Sequence, residues 1–108
     1  MIIHNKEVKG ALDRETRCNH YHEPNDRIAI KFYCCHEYFS CVACHHEFGC
    51  GKPKVWPYNK FDEKAVLCGS CGIELTIKEY LESESTCPKC LKSFNPGCTV
   101  HYHYYFEM

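Results

Sequence analysis

Two Cys-x-x-Cys pairs in the second half of the chain constrain its fold more than any other feature. Fifteen residues separate the pair Cys68 and Cys71 from the pair Cys87 and Cys90, a spacing typical of a tetrahedral four-cysteine zinc site. Two residues between cysteines let the backbone form a tight knuckle, and Gly69 and Gly72 permit the conformations that such a knuckle needs. A redox-active dithiol would need a strand and a long helix around one pair, which this sequence does not supply. The spacing therefore predicts a structural zinc site.

The overall cysteine and histidine content extends this expectation to the whole chain. The 108 residues include 11 cysteines and 8 histidines, and a chain of this length buries only about two-thirds of its unfolded surface. The N-terminus lacks an apolar stretch of signal-peptide length, and no run approaches the ~18 apolar residues of a membrane span. We therefore expect a cytoplasmic protein without a membrane partner. Because persistent disulfides are rare in a reducing compartment, zinc is favoured over a disulfide framework.

A second cluster of candidate ligands lies in the first half of the chain. Cys41 and Cys44 form a chelating pair, and the adjacent residues Cys44 and His45 can point toward different metals. This arrangement predicts two interleaved four-coordinate sites. The first site combines Cys18, His20, Cys41 and Cys44, and the second combines Cys34, Cys35 and His45 with either Cys50 or His46.

A predicted strand leads into the adjacent cysteines of the second site. Ile28, Ile30 and Phe32 alternate with other residues and would share one face of this strand. If the extended backbone continues through Cys34 and Cys35, their sulfur atoms diverge and can serve different metals. If the backbone turns there instead, the two cysteines can share one metal.

The remaining elements are short. Thr76 and Glu79 form a capping box for a helix that ends by Ser83 to Ser85, and the aromatic residues 101–106 predict a final strand. Residues 1–12 are rich in charge and are expected to be a solvated lead-in. The fold class is thus a small, metal-stabilised α+β module with short strands, zinc knuckles and one or two short helices.

Several motifs resemble the CHY-type zinc-finger family. They are Thr16–Tyr21, Lys31–Cys35, Cys41-x-x-Cys44-His45 with Glu47, Val55–Pro57, Phe61-Asp62, Ala65–Cys71, Glu74–Ile77 and Cys87-Pro88-x-Cys90. The resemblance implies one module over residues 13–106 with three zinc ions. Residues 13–57 would be an interleaved two-zinc part, and residues 58–106 a part similar to a zinc ribbon followed by the C-terminal strand.

The same resemblance suggests a biological setting. Family members occur as small stand-alone bacterial and fungal proteins, and in plants and animals in front of RING ubiquitin ligases. We expect this chain to be a stand-alone member without a RING domain. A fungal stand-alone member is linked to zinc handling and to the assembly of small cysteine-rich proteins in the mitochondrial intermembrane space. The resemblance therefore permits a chaperone-like or metal-transfer role.

One position departs from the family pattern. The family has a histidine seven residues after the cysteine that corresponds to Cys44, where this chain has Gly51, and Cys50 stands one position earlier. We expect Cys50 to take the fourth place of the second site. If Cys50 cannot reach, His46 or water must fill that place, and an open position is what catalytic zinc requires.

Ligands that remain near the C-terminus could form a fourth zinc site. Cys98, His101 and His103 have a ligand-like spacing, and His22 is a possible distant fourth residue. The same spacing is compatible with a strand that carries histidines between aromatic residues.

Charge and motif content favour a non-catalytic role. The formal net charge is -1, and thiolate-rich zinc sites make it more negative, which is the wrong sign for a nucleic-acid partner. No phosphate loop, nucleophile elbow or His-Glu-x-x-His motif is present, and only Glu47 lies beside the cluster as a possible general base. We expect a zinc-binding module whose surface binds an unidentified protein partner. The alternative is zinc handling or transfer, or a thiol-dependent chaperone-like role toward cysteine-rich partners.

Overall fold

The computed structural model describes residues 1–50, 54–95 and 102–107. These residues form a small α+β fold with one six-stranded sheet and few short helices, which confirms the predicted fold class. The elements in chain order are β1 (Ile2–Ile3), β2 (Lys6–Lys9), β3 (Ile28–Lys31), β4 (Tyr38–Phe39), α1 (Val42–Phe48), a 3-10 helix (Tyr58–Lys60), β5 (Lys64–Cys68), β6 (Glu74–Thr76) and α2 (Ile77–Leu81).

The sheet joins the two parts of the chain. Its strand order is β1-β2-β4-β3-β5-β6, and every neighbouring pair is antiparallel except β2 and β4. At the centre, β3 pairs with β5 so that Ile28 lies opposite Cys68 and Ile30 lies opposite Val66. Because β5 ends at Cys68, the central strands place the first knuckle cysteine directly at the end of the sheet.

The strand before the adjacent cysteines has the predicted alternation. Ile30 and Phe32 lie in the larger core cluster and Ile28 packs against that cluster, whereas Ala29 lies in a second cluster with Leu67. Both faces of the sheet are therefore buried at its centre, as the alternation of side chains along a strand allows.

The N-terminal residues differ from the expected solvated lead-in. The hairpin of β1 and β2 joins the sheet, and Ile3 and Val8 are only 2% and 0% exposed. His4 and Asn5 form its turn with positive φ angles. Two apolar side chains suffice to bury one face of this short hairpin, while its charged side chains remain accessible.

The C-terminal segment also differs from the expectation. Residues 102–104 form a 3-10 turn instead of a strand, and Phe106 makes only an isolated bridge with Trp56. The aromatic rings that favour a strand pack edge to face around the core instead, as Tyr102 does against Tyr80. His101 lies outside the described residues.

Only one of the two α-helices was predicted from the sequence. The capping box of Thr76 and Glu79 is present at the start of α2, which ends at Leu81, so this prediction is confirmed. Helix α1 was not predicted, because its Cys- and His-rich sequence has little apolar periodicity. Within the described residues, no helix has the length and apolar character needed to cross a membrane.

Candidate metal centres

Among the described residues, cysteine and histidine side chains form three clusters, and within each cluster all candidate ligand atoms lie within 4.8 Å of one another. We name them the first ligand group (Cys18, His20, Cys41, Cys44), the second ligand group (Cys34, Cys35, His45, Cys50) and the third ligand group (Cys68, Cys71, Cys87, Cys90). No disulfide links any of the described cysteines.

The first ligand group is built around the start of α1. Cys41 is the N-cap of the helix, and its Sγ accepts a hydrogen bond from the Cys44 backbone N–H at 3.4 Å. The Cys41 Sγ lies 3.6 Å from both the Cys18 Sγ and the Cys44 Sγ, and His20 Nδ1 lies 3.5 Å from the sulfurs of Cys41 and Cys44. A tetrahedral zinc with Zn–S bonds of about 2.3 Å places sulfurs about 3.8 Å apart. The spacing of these atoms fits such an ion.

The outer nitrogen of His20 has a carboxylate partner. His20 Nε2 lies 2.8 Å from Glu47 Oε1 on α1, while Nδ1 faces the cysteines. When Nδ1 directs its lone pair to a metal, Nε2–H donates to Glu47, and this fixes both the tautomer and the ring orientation. Hydrogen bonding to Cys18, and then to Glu47, raises the pKa of His20. Glu47 is thus placed to orient His20, although its sequence neighbours are His45 and His46.

The second ligand group is assembled by a turn. Cys34 and Cys35 lie in a turn between β3 and β4, and their sulfurs are 4.0 Å apart. His45 Nε2 lies 3.3 Å from Cys34 Sγ, 3.7 Å from Cys35 Sγ and 3.6 Å from Cys50 Sγ. The turn therefore brings the adjacent cysteines to one group, and Cys50 stands at its fourth place. His46 is exposed and lies outside the group.

Aromatic packing holds His45 in position. Its side chain is 0% exposed, its ring stacks on Phe32 at a centroid distance of 4.3 Å, and the edge of Phe39 lies 4.8 Å away. The inner nitrogen Nδ1 is buried and has no hydrogen-bond partner among the described residues. Burial lowers the pKa of His45, so the neutral imidazole, which is the metal-binding form, is favoured.

The third ligand group consists of two knuckles of matching geometry. Cys68 and Cys90 sulfurs are 3.9 Å apart, and Cys71 and Cys87 sulfurs are 3.7 Å apart. In the first knuckle, the residue after Cys71 is Gly72, which has a φ of 83° and donates its N–H to the Cys68 carbonyl at 2.9 Å. In the second, the residue after Cys90 likewise has a positive φ of 66° and bonds to the Cys87 carbonyl at 3.0 Å. In both knuckles the residue after the second cysteine therefore has a left-handed backbone conformation, which glycine adopts most easily.

A metal ion bound by these groups would compete with protons for the cysteine sulfurs. Burial raises the pKa of Cys35 and of Cys44 to about 11, whereas hydrogen bonding between the Cys18 and Cys41 sulfurs lowers the pKa of Cys18 to about 5. Burial also opposes ionisation of Cys90, but the backbone N–H of Lys92 lowers its pKa to about 7. Metal ligands must be thiolates, so binding releases protons from the high-pKa cysteines.

The residues of the expected fourth site are not brought together among the described residues. Cys98 and His101 lie outside the described part of the chain, so the fourth site stays a prediction. His103 is exposed and its ring lies 4.2 Å from that of Tyr104. His22 is also exposed.

Gly10 is a contributor that the sequence reasoning missed. It follows β2 with a φ of 88°, and a Cβ at this position would lie 2.7 Å from the Cys44 Cβ. The hairpin therefore packs its backbone directly against a cysteine of the first ligand group. No sequence signal indicated this close approach, because the strand that precedes Gly10 was not predicted.

Comparisons with known proteins identify relatives among fungi. The chain is 40% identical over 104 residues to Helper of Tim protein 13 of Saccharomyces cerevisiae, across 89% of this chain and 85% of that protein. It is 44% identical over 104 residues to Helper of Tim protein 13 of Kluyveromyces lactis, across 93% of this chain and 88% of that protein. An uncharacterised Schizosaccharomyces pombe protein is 41% identical over 101 residues, across 93% of this chain and 88% of that protein. No family model matches the chain, and no solved structure matches it.

Proposed function

Because the chain belongs to the family of Helper of Tim protein 13, we propose that it is a non-catalytic zinc-binding module that binds a Tim protein. In this proposal the metal ions hold the fold together, and the protein surface recognises the partner. The name of the relatives describes a helper, which supports a binding role rather than catalysis.

The three ligand groups are the observation that carries the proposal. Two groups offer three sulfurs and one imidazole nitrogen, and one group offers four sulfurs. Such donor sets in tetrahedral spacing suit zinc in closed structural sites. Each structural zinc contributes about 10 to 16 kcal/mol of apparent binding free energy in finger peptides, as much as the entire ~5 to 15 kcal/mol stability of a typical domain.

The grouping of ligands also supports a CHY-type plan for this chain. We propose that residues 13–106 correspond to that module, with 13–57 contributing the two interleaved groups and 58–106 the four-cysteine group, and that the N-terminal hairpin completes its sheet. A role in helping a Tim protein, together with the setting of the fungal CHY-type member, favours the mitochondrial intermembrane space over the cytoplasm as its location.

Zinc transfer is the second candidate function. It is favoured by one observation, the exposure of Cys50, because a metal reached from solvent on one side can be passed to another protein. Closed scaffolding and transfer are compatible if different ligand groups perform them.

Native mass spectrometry with metal analysis tests the zinc-binding proposal. We expect three zinc ions in the wild-type protein and two firmly bound ions in Cys50→Ser. A fourth ion in the wild type would indicate that Cys98, His101 and His103 hold a metal of their own. A protein that binds no zinc, or another metal in its place, would contradict the proposal.

Calorimetric titration with a purified Tim protein tests the partner. We expect the zinc-loaded chain to bind and the chelator-treated chain to lose that binding, since removal of the metals removes the scaffold. Equal binding with and without metal would show that the ligand groups do not support the recognition surface.

A further inference from the structure

The second ligand group differs from the other two in how its members are exposed. Cys50 is the one exposed residue among the twelve members of the three groups. In the first ligand group, by contrast, Cys18, Cys41 and Cys44 are only 1 to 2% exposed. A metal held by the second ligand group is therefore reachable from solvent at the Cys50 edge.

The first and second ligand groups each contain one histidine, and we call them the mixed groups. Their histidines differ at the ring nitrogen that faces away from the cysteines. His20 has Glu47 at its outer nitrogen, whereas the buried Nδ1 of His45 has no hydrogen-bond partner among the described residues. Loss of such an outer partner typically lowers metal affinity by about 10- to 100-fold. The surroundings of His45 therefore predict a weaker hold on zinc than those of His20.

The position of Cys50 along the chain also indicates that the second ligand group holds a metal less firmly. Each cysteine of the first and third ligand groups has another member of its own group within three residues, as in the Cys41-x-x-Cys44 pair, whereas Cys50 is five residues from His45, its nearest group member. Cys50 also follows Gly49, the C-cap of α1, so it lies beyond the end of the helix that holds His45. Displacement of Cys50 from a metal therefore leaves every knuckle intact.

From these three features we propose that the second ligand group is the exchangeable zinc site of the chain, and that Cys50 is the ligand that an external thiol replaces. The proposal rests on the proposed function, because it requires that the ligand groups hold zinc. The substrate class is a zinc-accepting or zinc-donating cysteine thiol of another protein.

The exchange step conserves charge and oxidation state. An incoming thiol loses its proton to solvent, and its thiolate forms a bond to zinc at the exposed edge as the bond between zinc and Cys50 Sγ breaks. The released Cys50 thiolate takes up a proton, and zinc remains divalent throughout. Replacement of Cys34, Cys35 and His45 by further thiolates completes the transfer, and the reverse sequence loads the site.

Zinc release to a chelator, followed by native mass spectrometry, tests the proposal. In the wild type we expect one zinc to leave at least about ten-fold faster than the other two. Cys50→Ser should lack this fast-leaving ion and keep the two slow ones. The matched control Cys90→Ser removes a half-buried ligand of the third ligand group instead, and it should keep the fast-leaving ion.

Alkylation of the zinc-loaded wild type with N-ethylmaleimide gives a second measurement that does not depend on the folding of a variant. We expect the first alkylation that accompanies zinc loss to map to Cys50. A single release rate for all zinc ions, a fast ion that persists in Cys50→Ser, or a first zinc-coupled alkylation at a different cysteine would overturn the inference while leaving zinc binding intact. Absence of zinc from the wild type would instead overturn the proposed function itself.

Discussion

The first and second ligand groups have the same ligand types, three cysteines and one histidine, and they share helix α1. Cys44 and His45 are neighbours in the helix, and their side chains diverge by about 100° around its axis, so each serves a different group. The three cysteines of the first group are buried and its partly exposed histidine is oriented by Glu47, whereas the second has an exposed cysteine and a histidine that packs against aromatic rings. The two groups therefore share their ligand types and differ in their surroundings, and in our proposal the surroundings set how firmly each group holds a metal.

Complete removal of the metal ions should have the largest effect on the folded structure, and the order in which the ions leave should separate the first and second ligand groups. With each zinc worth about 10 kcal/mol or more, the chain without metal is expected to be unfolded. Stepwise chelation should remove the zinc of the second ligand group first with little loss of structure, and removal of the others should then abolish the fold. Far-ultraviolet circular dichroism recorded against zinc content measures this, and a metal-free protein that keeps its spectrum would contradict it.

Gly10→Ala should disturb the first ligand group selectively. The substitution places a Cβ 2.7 Å from the Cys44 Cβ and forces alanine to a φ of 88°, which together should lower the free energy of unfolding by at least about 2 kcal/mol. Chemical denaturation of the zinc-loaded protein measures this change.

Gly72→Ala is the matched control for this substitution. It imposes a similar φ of 83°, and its Cβ would lie 2.8 Å from the Cβ of His4, whose ring is hydrogen-bonded to the Gly69 carbonyl, so the clash falls on the N-terminal hairpin and not on a cysteine ligand. It should therefore show the backbone strain, about 1 to 2 kcal/mol, and a shift of His4, without contact with the first ligand group. Equal destabilisation by both substitutions would show that contact with Cys44 adds nothing.

Glu47→Ala should bring the zinc affinity of the first ligand group closer to that of the second. Without the carboxylate, His20 loses the partner of its Nε2, and zinc affinity of the first ligand group should fall by about 10- to 100-fold. Competition with a chelator of known affinity measures this. Glu47→Gln, which keeps a carbonyl oxygen but no charge, should show a smaller loss. Unchanged affinity in Glu47→Ala would remove the contact between His20 and Glu47 as an explanation of the difference between the groups.

The sequence allowed the ligand sets to be proposed because chelating cysteines lie close along the chain, and such spacings hardly depend on tertiary structure. It also allowed α2 to be predicted, because the contacts of its capping box are local. The arrangement of Cys34 and Cys35 could not be settled in advance. It is set by a turn in which the His36 N–H bonds to the Phe32 carbonyl at 2.7 Å and His36 takes a φ of 57°.

The environments of the ligands could not be predicted from sequence. The N-terminal hairpin has strands of two and four residues, too short for a periodic signal, and its burial depends on pairing of β2 with a distant strand, β4. The partner of His20 lies 27 residues away in the chain, on a helix that formed without an apolar stripe. These contacts join residues that are far apart in the chain, so they could not be read from local sequence. The first and second ligand groups differ in such contacts.

The smallest expected effect comes from Glu74, which lies outside both groups. Its carboxylate accepts a hydrogen bond from the Tyr38 hydroxyl at 2.7 Å and pairs with Lys6 Nζ at 3.1 Å. Burial acts to raise the pKa of Glu74, but the contacts with Tyr38 and Lys6 outweigh it and hold the pKa below its usual 4.5. A depressed pKa adds stability that is fully present above the unfolded-state value and is lost as the pH falls through the lower folded-state value.

Glu74→Gln should therefore lower the free energy of unfolding by about 1 kcal/mol or less, by the same amount from pH 8 to pH 5. Denaturation across this range measures the difference, with Glu7→Gln as the control, because Glu7 pairs with the N-terminus at an exposed position. Zinc release from the first and second ligand groups should keep its wild-type rates in both variants, because neither side chain contacts a ligand. A changed ratio of release rates in Glu74→Gln would mean that the sheet, and not the immediate surroundings of His20 and His45, sets the difference between the two groups.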